Sequence, residues 1–159
     1  MDEVGVDAAR YTFLTRSIDA PLTFDIDEVK KQNAENPVYY VQYAHARIAS
    51  ILRKAAEGGV RFDPSASLHP STHPSEETLM RKLTTFEELV PEAAAQLAPQ
   101  KITRYVEELA SDFSAFYRDC KVVSDDRDLT LARIALCVAT MNVIASGLGL
   151  LGVSAPERM

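Results

Sequence analysis

One uncharged run near the C-terminus constrains the fold more than any other part of the sequence. Residues 134–151 contain no charged side chain, and a run of this length reaches the lower limit for a membrane-spanning helix. Thr140, Asn142 and Ser146 interrupt it, however, and no aromatic belt or basic flank follows it. We therefore predict a central core helix of a soluble protein, buried on nearly all sides, and no contact with a membrane.

Much of the remaining chain has the spacing of helices with one buried face. Asn36 is the expected N-cap of a long helix that has Pro37 in its first position and ends at Gly58. Its core face comprises Val41, Ala44, Ile48, Leu52 and Ala55. Further helices are expected from Ser75, with a kink or new start at Pro91, after Pro99 and over residues 129–147, with Asp128 as a plausible last cap. The sequence predicts an all-α bundle of four to six helices.

The first 35 residues differ from this pattern. Asp7 is a candidate cap for a short helix over residues 8–14, and Asp27 for a turn at residues 28–30. Between them, Leu22, Phe24 and Ile26 alternate with Thr23 and Asp25, a brief strand-like signal. We therefore predict a short mixed segment over residues 1–35, belonging to a larger domain, and a helical domain over residues 36–159.

The distribution of charge leaves two function classes open. The chain has a formal net charge of −6, which favours a protein-interaction or structural bundle without RNA binding. Residues 1–35 carry four basic and eight acidic residues, whereas residues 36–59 carry three basic residues and one acidic residue. The first long helix is therefore locally basic and permits contact with RNA phosphates.

The motifs of common catalytic centres are absent from the 159 residues. The sequence has no GxxxxGK[ST], HExxH or CxxC pattern. Cys120 and Cys137 are expected to be buried thiols, His69 and His73 to be loop residues without a metal, and the acidic residues of the helix after Pro99 to face solvent. We expect no catalytic residue, cofactor or metal in this chain.

No secretory leader opens the sequence, so the expected location is cytoplasmic.

One segment combines rings and a cation in an unusual way. Tyr39, Tyr43 and Arg47 lie on the side of the first long helix that faces away from its core stripe. Exposed rings and guanidinium groups stack on unpaired bases, although packing against another domain explains the same residues equally well. Tyr40 is expected to cover the edge of the core, and His45 to be half-buried and hydrogen bonded.

At this segment the sequence resembles a known family. Residues 36–48 resemble the opening helix of the DALR-type anticodon-binding domain of bacterial arginyl-tRNA synthetases. Residues 10–17 and 22–27 resemble the end of that family's catalytic region, and residues 150–159 resemble its C-terminus. The HIGH-type and KMSK-type signatures of the family do not occur in this chain. The resemblance therefore implies the C-terminal part of an arginine–tRNA ligase, which is not expected to be active alone.

The resemblance also implies partners and contact residues. The family docks the anticodon loop of tRNA-Arg during ATP-dependent arginylation, and ATP and Mg belong to its full-length enzyme. The implied partners of this chain are that loop and the enzyme's own catalytic domain, not DNA or a membrane. The resemblance implies RNA contact on the first long helix and the C-terminal tail. Within these two parts we predict contacts at Tyr39, Gln42, Tyr43, Arg47, Arg158 and Met159, with Gln42 able to read a base edge. Arg104, Tyr117 and Arg118 are weaker candidates.

Overall fold

The computed structural model describes residues 4–159, and within them it contains helices and no strand. The helices are α1 (Val6–Leu14), α2 (Ile26–Val29), α3 (Pro37–Glu57), α4 (Pro74–Thr84), α5 (Phe86–Ala95), α6 (Gln100–Asp119) and α7 (Arg127–Leu150). Five of them lie within residues 36–159, so the predicted all-α bundle of four to six helices is confirmed. The longest three, α3, α6 and α7, pack against one another, while α4 packs on α6 and α7.

Helix α7, which contains the uncharged run, contributes to the core as predicted, but it is less enclosed than expected. Its length and composition would let it cross a membrane, yet Ile134, Ile144 and Leu148 are buried within the bundle. Gly147 allows close contact with α6, because a Cβ atom there would lie 2.5 Å from Val106 Cγ1. Only 44% of its most apolar window is buried. The prediction of burial on nearly all sides was therefore wrong, since one flank of α7 remains open.

Helix α3 begins and ends where the sequence predicts. Pro37 is its first residue, and it ends before Gly58. Val41 and Ile48 on the predicted core face are fully buried. The side chain of Asn36, however, does not cap the helix. Its Nδ2 instead donates to the backbone oxygens of Val29, at 2.9 Å, and Lys31, at 2.8 Å. Asn36 therefore fastens the preceding segment to the start of α3.

The boundaries in the middle of the chain differ from the expected ones. The break expected at Pro91 occurs at Thr85, and Pro91 lies inside α5. The hydroxyls of Thr85 and Tyr105 both donate to the backbone oxygen of Lys82, at 2.8 and 2.6 Å. These bonds satisfy a carbonyl group at the end of α4. At the start of α7, Asp126 rather than Asp128 provides the cap.

The N-terminal segment forms two short helices and not the expected strand. Residues 21–25 have no regular structure, and Asp25 rather than Asp27 caps α2. Phe24, part of the alternating pattern, stacks on Phe13 with ring centroids 5.2 Å apart. Asp7 lies within α1 and does not cap it. Helix α1 packs on α3 and α6.

Two predictions about buried groups are confirmed, and one about an acidic face is wrong in part. Cys120 and Cys137 are free and buried, and burial raises the pKa of the Cys137 thiol to about 12. Glu107, expected to face solvent, is half-buried on α6 and accepts a hydrogen bond from the Tyr11 hydroxyl at 2.9 Å. The distant α1 therefore covers part of the acidic face.

Candidate nucleic-acid interface

The outer face of α3 carries rings and a guanidinium group in a continuous stack. Tyr39 and Tyr43 are one helical turn apart, and their rings are nearly parallel at an interplanar angle of 10°, with centroids 6.3 Å apart. Arg47 lies one turn further, with Cζ 5.6 Å from the centroid of Tyr43. The same Cζ lies 4.6 Å from the centroid of Tyr117 on α6. We call Tyr39, Tyr43, Arg47 and Tyr117 the aromatic–cation stack.

The stack is accessible and its charge is not neutralised. Tyr43 and Tyr117 are 43% and 38% exposed, Arg47 is exposed, and Tyr39 is half-buried. Within residues 4–159, no ion pair joins Arg47 to an acidic side chain. A guanidinium group lying between two rings keeps its positive charge and the N–H groups at its edge available for a ligand.

A basic groove continues from the stack. It has a volume of about 510 Å³, and its cationic lining residues are Arg47, Arg53, Lys54 and Arg158. Glu157 contributes an acidic side chain, and Met159, 54% exposed, contributes an apolar one. The combination of cations, rings and an apolar end group suits a ligand with both phosphates and flat bases.

The C-terminal tail is fixed along α3 by backbone contacts. At the end of α7, Gly152 has a φ of 66°, and the Val153 amide donates to Leu148 O at 2.9 Å, which reverses the chain in a Schellman turn. The side chain of His45, in α3, lies 2.9 Å from Pro156 O through Nδ1. Because a carbonyl oxygen can only accept, Nδ1 carries the proton in this contact. The tail therefore reaches the groove in a defined path.

Comparison with known proteins identifies this arrangement. Residues 41–159 match the family described as the DALR anticodon binding domain. The chain belongs to this family. The chain is 48% identical over 160 residues to a protein named arginine–tRNA ligase 1 from Halalkalibacterium halodurans, a match that covers 100% of this chain and 29% of that protein. It is 48% identical over 161 residues to an arginine–tRNA ligase from Symbiobacterium thermophilum, with the same coverage of 100% and 29%.

A solved structure has the same fold. The arginyl-tRNA synthetase of Thermus thermophilus superposes with a TM-score of 0.83 at 32% identity, covering 99% of this chain and 27% of that one. The predicted resemblance is therefore confirmed. The DALR domain spans less than a third of the length of these relatives.

The structure brings five of the six predicted contact residues of the DALR domain to one surface. Tyr39, Tyr43 and Arg47 form the α3 part of the stack, and Arg158 and Met159 line the adjoining groove. The sixth, Gln42, has partners within the protein. Its Nε2 donates to Asp7 Oδ2 at 3.0 Å and to Ser154 O at 2.9 Å. Base reading by Gln42 stays a prediction.

Two neighbouring residues have the predicted structural roles. Tyr40 is half-buried at the edge of the core, and its hydroxyl lies 3.2 Å from Ser114 Oγ. His45 is hydrogen bonded as expected, but it is only 4% exposed and so more deeply buried than predicted. These residues position α3 and the tail.

The weaker candidates separate into two groups. Tyr117 belongs to the stack, whereas Arg104 and Arg118 are each paired with an acid, Glu108 and Asp119, at 2.8 Å. Hydrogen bonds from Lys82 and Arg104 lower the pKa of Glu108, which therefore stays ionised at neutral pH. The charges of Arg104 and Arg118 are already compensated within the domain.

Sequence reasoning did not select Arg53 and Lys54 as contacts. Lys54 follows Arg47 by seven residues, two helical turns along the same face. That spacing is visible in the sequence, so Lys54 could have been included. Arg53 reaches the groove because its Nη1 donates to Glu157 O at 3.4 Å. Its location depends on the path of the tail and has no sequence signal.

Proposed function

We propose that this DALR domain docks the anticodon loop of tRNA-Arg as part of an arginine–tRNA ligase. The observation that supports this most directly is the aromatic–cation stack beside the basic groove. Unpaired loop bases stack on such rings, while cations along a groove follow the phosphate backbone. The overall negative charge of the chain does not oppose docking, because the local cations determine the contact.

Each member of this surface has a chemical role in the proposal. The rings of Tyr39, Tyr43 and Tyr117 offer faces to bases, and Arg47 adds a guanidinium plane and positive charge. Arg158 contacts phosphate. Met159 places an apolar thioether and the terminal carboxylate where a base can meet them. Gln42 is a candidate for reading a base edge, which requires that it exchange its bond to Asp7 or Ser154.

The remaining parts of the proposal concern the complete ligase. Its relatives are about three times as long as this chain, and ATP, Mg and the joining of arginine to tRNA belong to that larger assembly in the cytoplasm. We assign residues 1–35 to the end of its catalytic domain. The exposed apolar side chains of Val6, Phe13, Ile18 and Ile26 suit packing against that domain.

The decisive test is binding of this chain to the anticodon stem-loop of tRNA-Arg at low salt, by fluorescence anisotropy. A matched stem-loop with the middle anticodon base changed serves as control. We expect weaker binding to the changed loop. With four cations lining the groove, the logarithm of affinity should fall with that of salt concentration with a slope no steeper than about −3.

The other outcomes have definite meanings. Equal binding to both loops would reduce the function to nonspecific contact with phosphates. No binding to either loop would contradict RNA docking by this domain and favour the alternative, a bundle that packs against protein.

A further inference from the structure

A carboxylate outside the basic groove joins three separate parts of the chain. Asp7 Oδ2 accepts hydrogen bonds from Gln42 Nε2 at 3.0 Å and from the Ser154 amide at 3.2 Å. The Ser154 hydroxyl also donates to this oxygen. Helix α1, helix α3 and the C-terminal tail therefore meet at one atom. The Asp7 side chain does not cap α1, so its hydrogen bonds connect α1 to other parts of the chain.

Arg10 makes a second connection between α1 and the tail. It follows Asp7 by three residues, so both side chains lie on one face of α1. Its Nη1 donates to Gly152 O at 2.5 Å. A Cβ atom on Gly152 would lie 2.7 Å from the same Nη1, so the guanidinium group lies directly over this glycine. Gly152 therefore has two roles: it adopts the positive φ of the Schellman turn, and its lack of a side chain leaves space for the guanidinium group of Arg10.

We propose that Asp7 and Arg10 are positioning residues that hold the C-terminal tail, so that Arg158 and Met159 face the RNA groove. The part that concerns RNA rests on the proposed function. The hydrogen bonds fix residues 152–154, five residues before the chain end, and the bond from His45 to Pro156 continues the path. Neither Asp7 nor Arg10 lines the basic groove. Asp7 also lines a neighbouring cavity with Gln42 and Met159, so its effect on the basic groove is the part that passes through the tail.

The first test needs no RNA. The sequence contains four methionines, so methyl-labelled methionine gives a simple NMR spectrum in which Met159 is assigned by Met159→Leu. Because Met159 lines a groove with Tyr43 and Tyr117, the rings shift its methyl resonance. Asp7→Ala should move this resonance toward the position of methionine in an unstructured peptide. Asp7→Asn, which keeps one acceptor oxygen, should cause a smaller change.

Controls separate tail release from unfolding. Asp19→Ala removes the same charge from an exposed position on the same segment, and it should leave the Met159 resonance unchanged. Ser154→Ala removes a donor from the tail and leaves α1 intact, so it tests the same junction if Asp7→Ala reduces the helical circular dichroism. An unmoved Met159 resonance in folded Asp7→Ala or Ser154→Ala would overturn the proposal.

The second test uses affinity for the anticodon stem-loop. Loss of a negative charge by itself should strengthen RNA binding slightly, as expected for Asp19→Ala. Asp7→Ala should instead weaken binding about three- to tenfold, because a charge-assisted contact that orders the tail is lost. In the Met159→Ala background this loss should shrink, since Asp7 acts through the tail. An equal loss in both backgrounds would contradict the positioning role.

The two proposals can fail separately. If the wild-type chain did not bind the stem-loop, the RNA function would be refuted, and the Met159 resonance of the Asp7 and Ser154 variants would still decide whether Asp7 holds the tail. If the chain bound RNA and Asp7→Ala did not weaken that binding, the positioning role would be refuted and the RNA function would stand.

Discussion

Arg133 and Arg47 show two ways in which the same bundle accommodates a guanidinium group. Arg133, on α7, donates from Nε to Glu76 Oε1 at 2.6 Å and from Nη1 to Lys121 O at 2.7 Å. The side chains of Arg133 and Glu76 are only 12% and 1% exposed. Arg47 is exposed and lies between two tyrosine rings. A charge neutralised inside the fold supports its architecture, whereas a charge left open on rings is available to a ligand.

The buried pair belongs to a wider network at the start of α4. The second oxygen of Glu76 accepts a hydrogen bond from the His73 amide at 2.8 Å, and His73 is the N-cap of α4 in a capping box. The network therefore joins α4, α7 and the backbone at Lys121. His69 and His73 were expected to be loop residues. The role of His73 as the N-cap of α4 was not predicted, because histidine is an uncommon cap.

The largest effect is expected from breaking this buried pair. Arg133→Met leaves the buried Glu76 carboxyl without its cationic partner, which should reduce the free energy of unfolding by about 3–5 kcal/mol. Urea denaturation followed by circular dichroism measures this change. Below the transition the folded variant should bind the stem-loop as the wild type does. A decrease in the free energy of unfolding of less than about 1 kcal/mol would show that Arg133 does not stabilise the fold as proposed.

The opposite pattern is expected at the exposed arginine. Arg47→Met removes the charge and the planar group from the stack and should weaken stem-loop binding about tenfold. Because the position is exposed, the free energy of unfolding should change by no more than about 0.5 kcal/mol. Arg47→Lys keeps the charge without the plane, so it should bind with intermediate affinity. A strongly destabilised Arg47→Met would remove the distinction between the two arginines.

Local spacing predicts only the part of this surface that lies on α3, whereas Arg158 and Met159 were selected from the family resemblance. The four-residue steps from Tyr39 to Tyr43 and Arg47 place these side chains on one stripe of α3, so local spacing is sufficient. Tyr117 joins the stack because α6 packs beside α3, a contact between residues 70 positions apart. The same limit applies to Gln42, whose partners Asp7 and Ser154 come from the two ends of the chain.

Local signals also explain the errors in the fold. Alternation at Leu22, Phe24 and Ile26 suggested a strand, but a strand requires a partner, and the described residues provide none. Pro91 suggested a break because it lacks an amide donor. The break falls instead at Thr85, where Tyr105 on the distant α6 satisfies the Lys82 carbonyl. Long helices were predictable from periodicity, whereas these features depended on tertiary contacts.

Glu107 is an intermediate case between the buried, paired Arg133 and the exposed Arg47. It is half-buried beside Tyr11 and is not paired with a cation. The Tyr11 hydroxyl lies within hydrogen-bond distance of both Glu107 Oε1, at 2.9 Å, and Thr103 O, at 3.1 Å. Burial raises the pKa of Glu107, so folding disfavours its carboxylate. Between the unfolded and folded pKa values the native state binds more protons, and stability therefore falls as the pH rises.

Glu107→Gln should consequently stabilise the domain at neutral pH. It keeps an acceptor for Tyr11 and removes the charge, and solvent screening limits the gain to less than about 1 kcal/mol. The gain should disappear as the pH falls below about 4, where the unfolded carboxyl is protonated. Urea denaturation at a series of pH values measures the difference between the two proteins. A gain that persisted at acidic pH would contradict an electrostatic origin.

The smallest effect is expected at Arg104, an exposed arginine with an acidic partner. Its side chain is 82% exposed and pairs with Glu108, whose side chain is 44% exposed, so Arg104→Met should leave the free energy of unfolding unchanged within the precision of urea denaturation. Lys82 also binds Glu108 and keeps that carboxylate compensated. Arg104→Met removes the same charge as Arg47→Met, which makes the two variants a matched pair in stem-loop titrations. If both weakened binding equally, net charge rather than the aromatic–cation stack would determine affinity. A loss of affinity confined to Arg47→Met would show that a guanidinium group contributes to RNA binding when it lies against tyrosine rings, and not when it is paired with a carboxylate.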